Sequence, residues 1–107
     1  MTALEPYIFK KIPVQFFGKR CILNTSQELF SCNAVDAGSQ LLITSVLKER
    51  VLPAHPVIAD VGCGTGILSL ALLAQHSDSR ILAVDRDALA LAFTALNCRE
   101  NGHSVET

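Results

Sequence analysis

Between positions 58 and 66 the chain reads Ile-Ala-Asp-Val-Gly-Cys-Gly-Thr-Gly, and few folds accept that order. A near-continuous apolar run, Val57 to Val61, suits a parallel strand buried on both faces. Gly62, Gly64 and Gly66 let the backbone bend sharply where a side chain would block it. The Leu- and Ala-rich stretch from Ile67 to about His76 reads as a helix. Starting there, it directs free N–H groups and the positive end of its dipole over the turn. Nineteen residues past Gly66, a second apolar strand, Arg80 to Val84, ends at Asp85-Arg86. A carboxylate at that offset suits the two hydroxyls of a ribose, so the pattern describes a nucleoside site in an α/β sheet.

The flanking segments agree with that class. Ile12, Val14 and Phe16 alternate, Phe17-Gly18-Lys19-Arg20 supplies a turn, and Cys21 and Leu23 resume the alternation. Pro13 makes the first strand of this hairpin an edge strand. Asp36 or Ser39 caps the next helix, with Gly38 in its entry turn. Leu42, Ile43, Val46 and Leu47 give that helix its apolar face, and Pro53 and Pro56 end the segment. Asp87 caps a last helix running to about Glu100, with Leu89, Ala92, Phe93 and Leu96 on one stripe. Asn101-Gly102 stops it, and His103 to Thr107 approach a third strand. The expected fold is α/β: an N-terminal β-hairpin, then the β-α-β-α first half of a Rossmann-like parallel sheet, truncated near its third strand. Residues 1–28 form the hairpin segment and 29–107 a partial nucleoside-binding domain.

With 107 residues, the chain is one small domain or a piece of a larger one. Half its residues are hydrophobic and 18% charged, which excludes a disordered chain. A net charge of −1 argues neither for nor against nucleic acid, and Lys10, Lys11, Lys19 and Arg20 make a local basic cluster that reads as a solvated face before an RNA contact. Cys21, Cys32, Cys63 and Cys98 form no CxxC pair and have no His at ligand spacing, which argues against zinc. Reduced thiols and a cytoplasmic location follow. The sequence has no apolar signal core and no run long enough to span a membrane. Cys63 lies in the turn without a nearby base, so it lines the pocket as a small residue. His55, His76 and His103 fall near element ends and read as surface residues.

Two cofactor classes use such a turn. The dinucleotide pattern G-x-G-x-x-G/A fails from Gly62, where Ile67 takes the third position, and survives from Gly64 only through Ser69. Asp60 opposes it, because a carboxylate beside a pyrophosphate repels by several kcal/mol in a partly buried site, by order of magnitude. The same carboxylate suits S-adenosylmethionine, which carries an ammonium, a sulfonium and no phosphate.

Asp60-Val-Gly62-Cys-Gly64-Thr-Gly66 resembles the first motif of class I methyltransferases, and Val84-Asp85 resembles their second. Leu29-Phe30-Ser31, Val35-Asp36-Ala37-Gly38-Ser39 and Leu41-Leu42 are similar to the lead-in of the "methyltransferase small" domain, with Ser39 where Thr is usual. That group includes guanine methyltransferases of small-subunit ribosomal RNA, so the resemblance implies an RNA base amine as acceptor. It also implies cofactor contacts from Asp60, Gly62, Cys63, Gly64, Thr65, Gly66, Asp85 and Arg86, and from Asp36 and Gly38 at the methionine end. The family's acceptor-aligning loop is Asn/Asp-Pro-Pro-aromatic. Here no proline follows Pro56, so no catalytic residue is assigned and the chain alone is expected to be inactive. Expected alternatives are a protein glutamine methyltransferase fragment, a nicotinamide-dependent oxidoreductase fragment and a non-catalytic nucleoside-binding module. An unpaired edge on the Val57 to Val61 strand also predicts self-association or completion by a partner or by a C-terminal half.

Overall fold

A computed structural model describes residues 3–29, 37–48 and 52–107. After a 3-10 turn at Glu5–Tyr7 come β1 (Lys10–Phe16) and β2 (Lys19–Thr25), then α1 (Ala37–Ile43), which continues as a π-helical turn, Thr44–Lys48. Next are β3 (Val57–Val61), α2 (Ile67–Gln75), β4 (Arg80–Val84) and α3 (Ala88–Glu100). β1 and β2 are antiparallel, with Val14 opposite Cys21 and Phe16 opposite Lys19. Their connection is shorter than the sequence suggests. Phe17 and Gly18 alone make it, with φ of 50° and 88°, while Lys19 and Arg20 already belong to β2. Positive φ at both central residues matches the right-handed twist of a hairpin, which is why two residues suffice.

β3 and β4 pair in parallel, Ala59 beside Leu82 and Val61 beside Val84. Glu106 bridges the other edge of β4, accepting from Ala83 N–H at 2.7 Å and donating to Ile81 O at 2.9 Å. The third strand is thus begun where the sequence places it. Among the described residues no strand lies on the outer edge of β3.

One apolar cluster unites the hairpin with the α/β segment: Phe16, Cys21 and Leu23 pack with Leu70, Leu73, Ile81 and Cys98. α2 is buried on nearly every side, from Ile67 to Ala74, as a helix hydrophobic all round must be. The sheet itself departs from expectation. Ile81 and Ala83 are buried under the helices, but Val57 is 77% and Val61 76% exposed, and Ala59, Leu82 and Val84 share their face. β3 is therefore covered on one face, not two, because the described helices pack on the side of Ile58, Asp60, Ile81 and Ala83. In α1, Ile43 is buried and Val46 half-buried, yet Leu42 is exposed, and Ser39 lies inside the helix where it cannot act as the N-cap. The alternative cap, Asp36, and the lead-in residues Phe30, Ser31 and Val35 lie outside the described residues.

At α3 local chemistry prevails. Asp87 accepts Leu89 N–H at 2.9 Å as N-cap. At the other end His103 N–H donates to Cys98 O at 2.8 Å and Gly102 N–H to Arg99 O at 3.1 Å, a Schellman ending that uses Gly102 at φ 84°.

Candidate functional site

β3 runs directly into the glycine turn, where Gly62, Gly64 and Gly66 all have positive φ. The turn is held from two elements. From β4, Val84 O accepts Gly62 N–H at 2.7 Å and Cys63 N–H at 3.1 Å, and Asp85 Oδ2 accepts Gly64 N–H at 3.1 Å. From α3, the Thr94 hydroxyl donates to Gly64 O at 3.1 Å and the Asn97 amide to Thr65 O at 2.7 Å. Gly66 N–H closes the turn on Cys63 O at 2.9 Å.

The glycines serve two purposes. A Cβ on Gly66 would stand 2.8 Å from Thr94 Cα, so this glycine lets α3 approach the turn. A Cβ on Gly64 would meet nothing within 4 Å, and Gly62 is equally open, leaving bare backbone facing open space. α2 begins at Gly66 with no side-chain cap on its first turn.

Asp85 faces this turn as an anchored anion. Its Oδ1 accepts Asp87 N–H at 2.9 Å while Oδ2 accepts Gly64 N–H. Those N–H groups, Asp87 foremost, hold its carboxyl below the ordinary value of 3.8. Each oxygen takes one of these two bonds, and a carboxylate oxygen can accept a second. Arg86 is exposed beside it. Thr65 is buried, its carbonyl held by Asn97 as described.

Asp60 occupies a different position. It is 5% exposed on the helix-covered face of β3 and accepts the Ser69 hydroxyl at 2.5 Å. It lines a groove of about 470 Å³ between α1, β3 and α2, together with Leu42, Val46, Leu68 and Leu72. Gly38 lies exposed near the start of α1, outside that lining, and Asp36 is outside the described residues. Of the residues proposed from sequence, the structure brings Gly62 through Gly66 and Asp85 into one hydrogen-bonded unit. Asp60 is not part of that unit and bonds Ser69 of α2 instead.

Cys63 is buried in the turn, and burial pushes its thiol up, with the nearby acids Asp60 and Asp85 adding to the effect. Cys21 is likewise raised by burial, and Cys98 is pushed up to about 12 for the same reason. Thiolate is the nucleophile, so burial and the upward shift both disfavour reaction at these three groups. Cysteine mapping with iodoacetamide at pH 8 should leave Cys21, Cys63 and Cys98 unmodified in the native protein and label them on denaturation. Rapid native labelling of Cys63 would show a reactive thiol in the turn.

Thr94 and Asn97 escape the sequence reading, which assigns that stretch of α3 to core stripe alone, and Ser69 of α2 enters it only as a small residue of the dinucleotide pattern, not as the partner of Asp60. All three are fully buried. A signal exists: Thr94 and Asn97, three residues apart, interrupt the apolar face carrying Phe93 and Leu96, and buried polar side chains need partners.

Residues 20–107 match the profile of the family described as the methyltransferase small domain. A ribosomal RNA small subunit methyltransferase C of Shewanella loihica is 38% identical over 95 residues, covering 78% of this chain and 26% of that protein. A ribosomal RNA large subunit methyltransferase G of Aeromonas salmonicida is 27% identical over 103 residues, covering 92% and 26%. The fold matches that of a T. thermophilus 16S rRNA methyltransferase solved in complex with AdoMet and guanosine. The TM-score is 0.78 and identity 22%, over 94% of this chain and 27% of that one. The chain thus spans about a quarter of the length of these relatives. Since the family match takes in β2, the glycine turn and everything after it, the chain belongs to the methyltransferase small domain family.

Proposed function

We propose that this chain is the S-adenosylmethionine-binding part of a methyltransferase acting on an RNA base amine such as a guanine of ribosomal RNA. The observation that carries the reading is the anchored Asp85 carboxylate, bonded to Gly64 N–H across an open glycine turn. Asp85 would accept the ribose hydroxyls through its remaining lone pairs. Gly62, Cys63, Gly64, Thr65 and Gly66 would lie against the adenosine and methionine portions, with Arg86 at the rim. Asp60 would favour the cationic amino-acid end through its charge, with Asp36 and Gly38 near the same end.

The bound cofactor supplies a sulfonium methyl group. What these residues contribute is placement, and fixing a donor before attack removes much of the entropic barrier. The acceptor-aligning Pro-Pro-aromatic loop that the family resemblance implies would not lie among these 107 residues, since no proline follows Pro56. The chain alone is therefore expected to bind cofactor without transferring a methyl group. RNA as partner is supported by the names of the relatives. We place the protein in the cytoplasm. Among the described residues no helix is long and apolar enough to cross a membrane.

Calorimetry with S-adenosylhomocysteine and with NADH tests the cofactor class. Saturable heat is expected with the first only. Asp85→Ala should weaken binding at least about tenfold, because hydrogen bonds to a charged group contribute about 1.5–3 kcal/mol. The pH dependence follows from the depressed carboxyl. Because its backbone N–H partners hold the folded Asp85 carboxyl below its ordinary value, the carboxylate stays ionised above about pH 4 and is lost only as pH falls through that lowered value. Affinity should stay flat from pH 8 to 5 and decline only in stronger acid. Silence with S-adenosylhomocysteine and saturation by NADH would reject the reading. Offering rRNA and protein in parallel to the enzyme carrying this segment separates RNA from glutamine as acceptor.

A further inference from the structure

The carbonyls of the glycine turn are held by α3, and that helix is in turn fastened to the hairpin. Asn97 is fully buried and every polar position of its amide is used. Its Oδ1 accepts Asn24 N–H and Asn24 Nδ2–H, both at 2.8 Å. Its Nδ2 donates to Asn24 O at 3.0 Å and to Thr65 O at 2.7 Å. One turn earlier on α3, Thr94 donates to Gly64 O and lies against the Cys63 thiol. Asn24 is itself tied to α3 a second time, through Glu100 Oε1 at 2.7 Å. A single side chain therefore joins strand β2 to the backbone of the glycine turn.

We infer that Thr94 and Asn97 are positioning residues for the cofactor turn, and that Asn97 makes the N-terminal hairpin part of the turn's support. The physical reason is directional. The peptide planes carrying the Gly62, Cys63 and Gly64 N–H groups are fixed by β4 and Asp85, and the Thr65–Gly66 plane by the Gly66 N–H bond to Cys63 O, which leaves the Gly64–Thr65 plane to be held through Gly64 O. The Thr94 bond to Gly64 O fixes that plane, the Asn97 bond to Thr65 O secures the next one a second time, and together they hold the open face of Gly62 and Gly64 in one shape before any ligand arrives. Preorganisation of this kind lowers the ordering cost of binding. The affinity consequence rests on the cofactor reading above; the ordering of the turn does not.

Asn97→Ala is the direct variant, but it strands Asn24 and Thr65 polar groups in the interior and so threatens folding itself. Thr94→Val and Thr94→Ser supply the decisive comparison. Valine keeps the buried methyl volume and loses the hydroxyl, whereas serine keeps the hydroxyl and loses a methyl. If Thr94 only fills space, stability, turn order and affinity all favour valine. If it positions the turn, serine is the less stable variant yet holds the turn as the native chain does.

Amide hydrogen exchange at Gly62, Cys63, Gly64 and Gly66 should accelerate about fivefold or more in Thr94→Val, while Leu70 to Leu73 of α2 stay within about twofold. Thr94→Ser should restore native exchange at the turn. S-adenosylhomocysteine affinity should fall about threefold to tenfold in Thr94→Val and recover in Thr94→Ser. Unchanged turn exchange in Thr94→Val overturns the inference, whatever the titration gives. Failure of the native chain to bind S-adenosylhomocysteine overturns the cofactor reading alone.

Discussion

Gly66→Ala is expected to destabilise the protein by about 3 kcal/mol, combining left-handed strain of roughly 1–2 kcal/mol with overpacking of similar size. Two independent obstacles meet at this residue. Its φ is 90°, which L side chains rarely adopt, and a Cβ would reach 2.8 Å from Thr94 Cα. That neighbour is backbone in the middle of α3, so it cannot swing aside as the tip of a side chain would. Either α3 moves outward, loosening the Thr94 and Asn97 bonds to the turn, or Gly66 shifts and the start of α2 follows. For a domain of this size the loss corresponds to a melting temperature lower by roughly 10–20 °C. Gly62→Ala is the control: it carries the strain but meets nothing within 4 Å, so about half the destabilisation is expected. Equal melting temperatures for the two variants would show that close approach to α3 is not what Gly66 provides.

The second large effect concerns the uncovered face of the β3–β4 sheet. Val57, Ala59, Val61, Leu82 and Val84 form an apolar strip beside an outer edge of β3 that no described strand pairs. Exposed edges and contiguous apolar patches both favour association. Sedimentation of the chain at tens of micromolar is expected to give oligomers in concentration-dependent exchange, with strong enhancement of a hydrophobic dye. The double variant Val57→Lys, Val61→Lys should abolish both without loss of melting temperature, since each side chain is already about three-quarters exposed. A native chain that stays monomeric across that range and binds no dye would show the strip to be compatible with water.

Much of the fold follows from neighbours in sequence. The limits of β3 and β4, the Asp87 cap and the Asn101-Gly102 stop are decided within four or five residues, where alternation, capping and positive φ act. The glycine turn and Asp85 were readable for the same reason, each being set by a strand end and the spacing between two strands. The hairpin turn was overestimated by two residues, because Lys19 and Arg20 look like turn residues by composition and gain their strand identity only from the register with Phe16 and Gln15.

Pattern along the chain could not say which face of β3 is covered, because a run of apolar residues reads alike under one layer of helices or two. Nor could it give Thr94 and Asn97 their partners, which lie 30 residues away at Gly64 and 73 away at Asn24. Local chemistry fixes elements and caps since its forces act between near neighbours. Burial of polar side chains is settled only when distant segments meet, and here that meeting joins the hairpin, α3 and the glycine turn into one support.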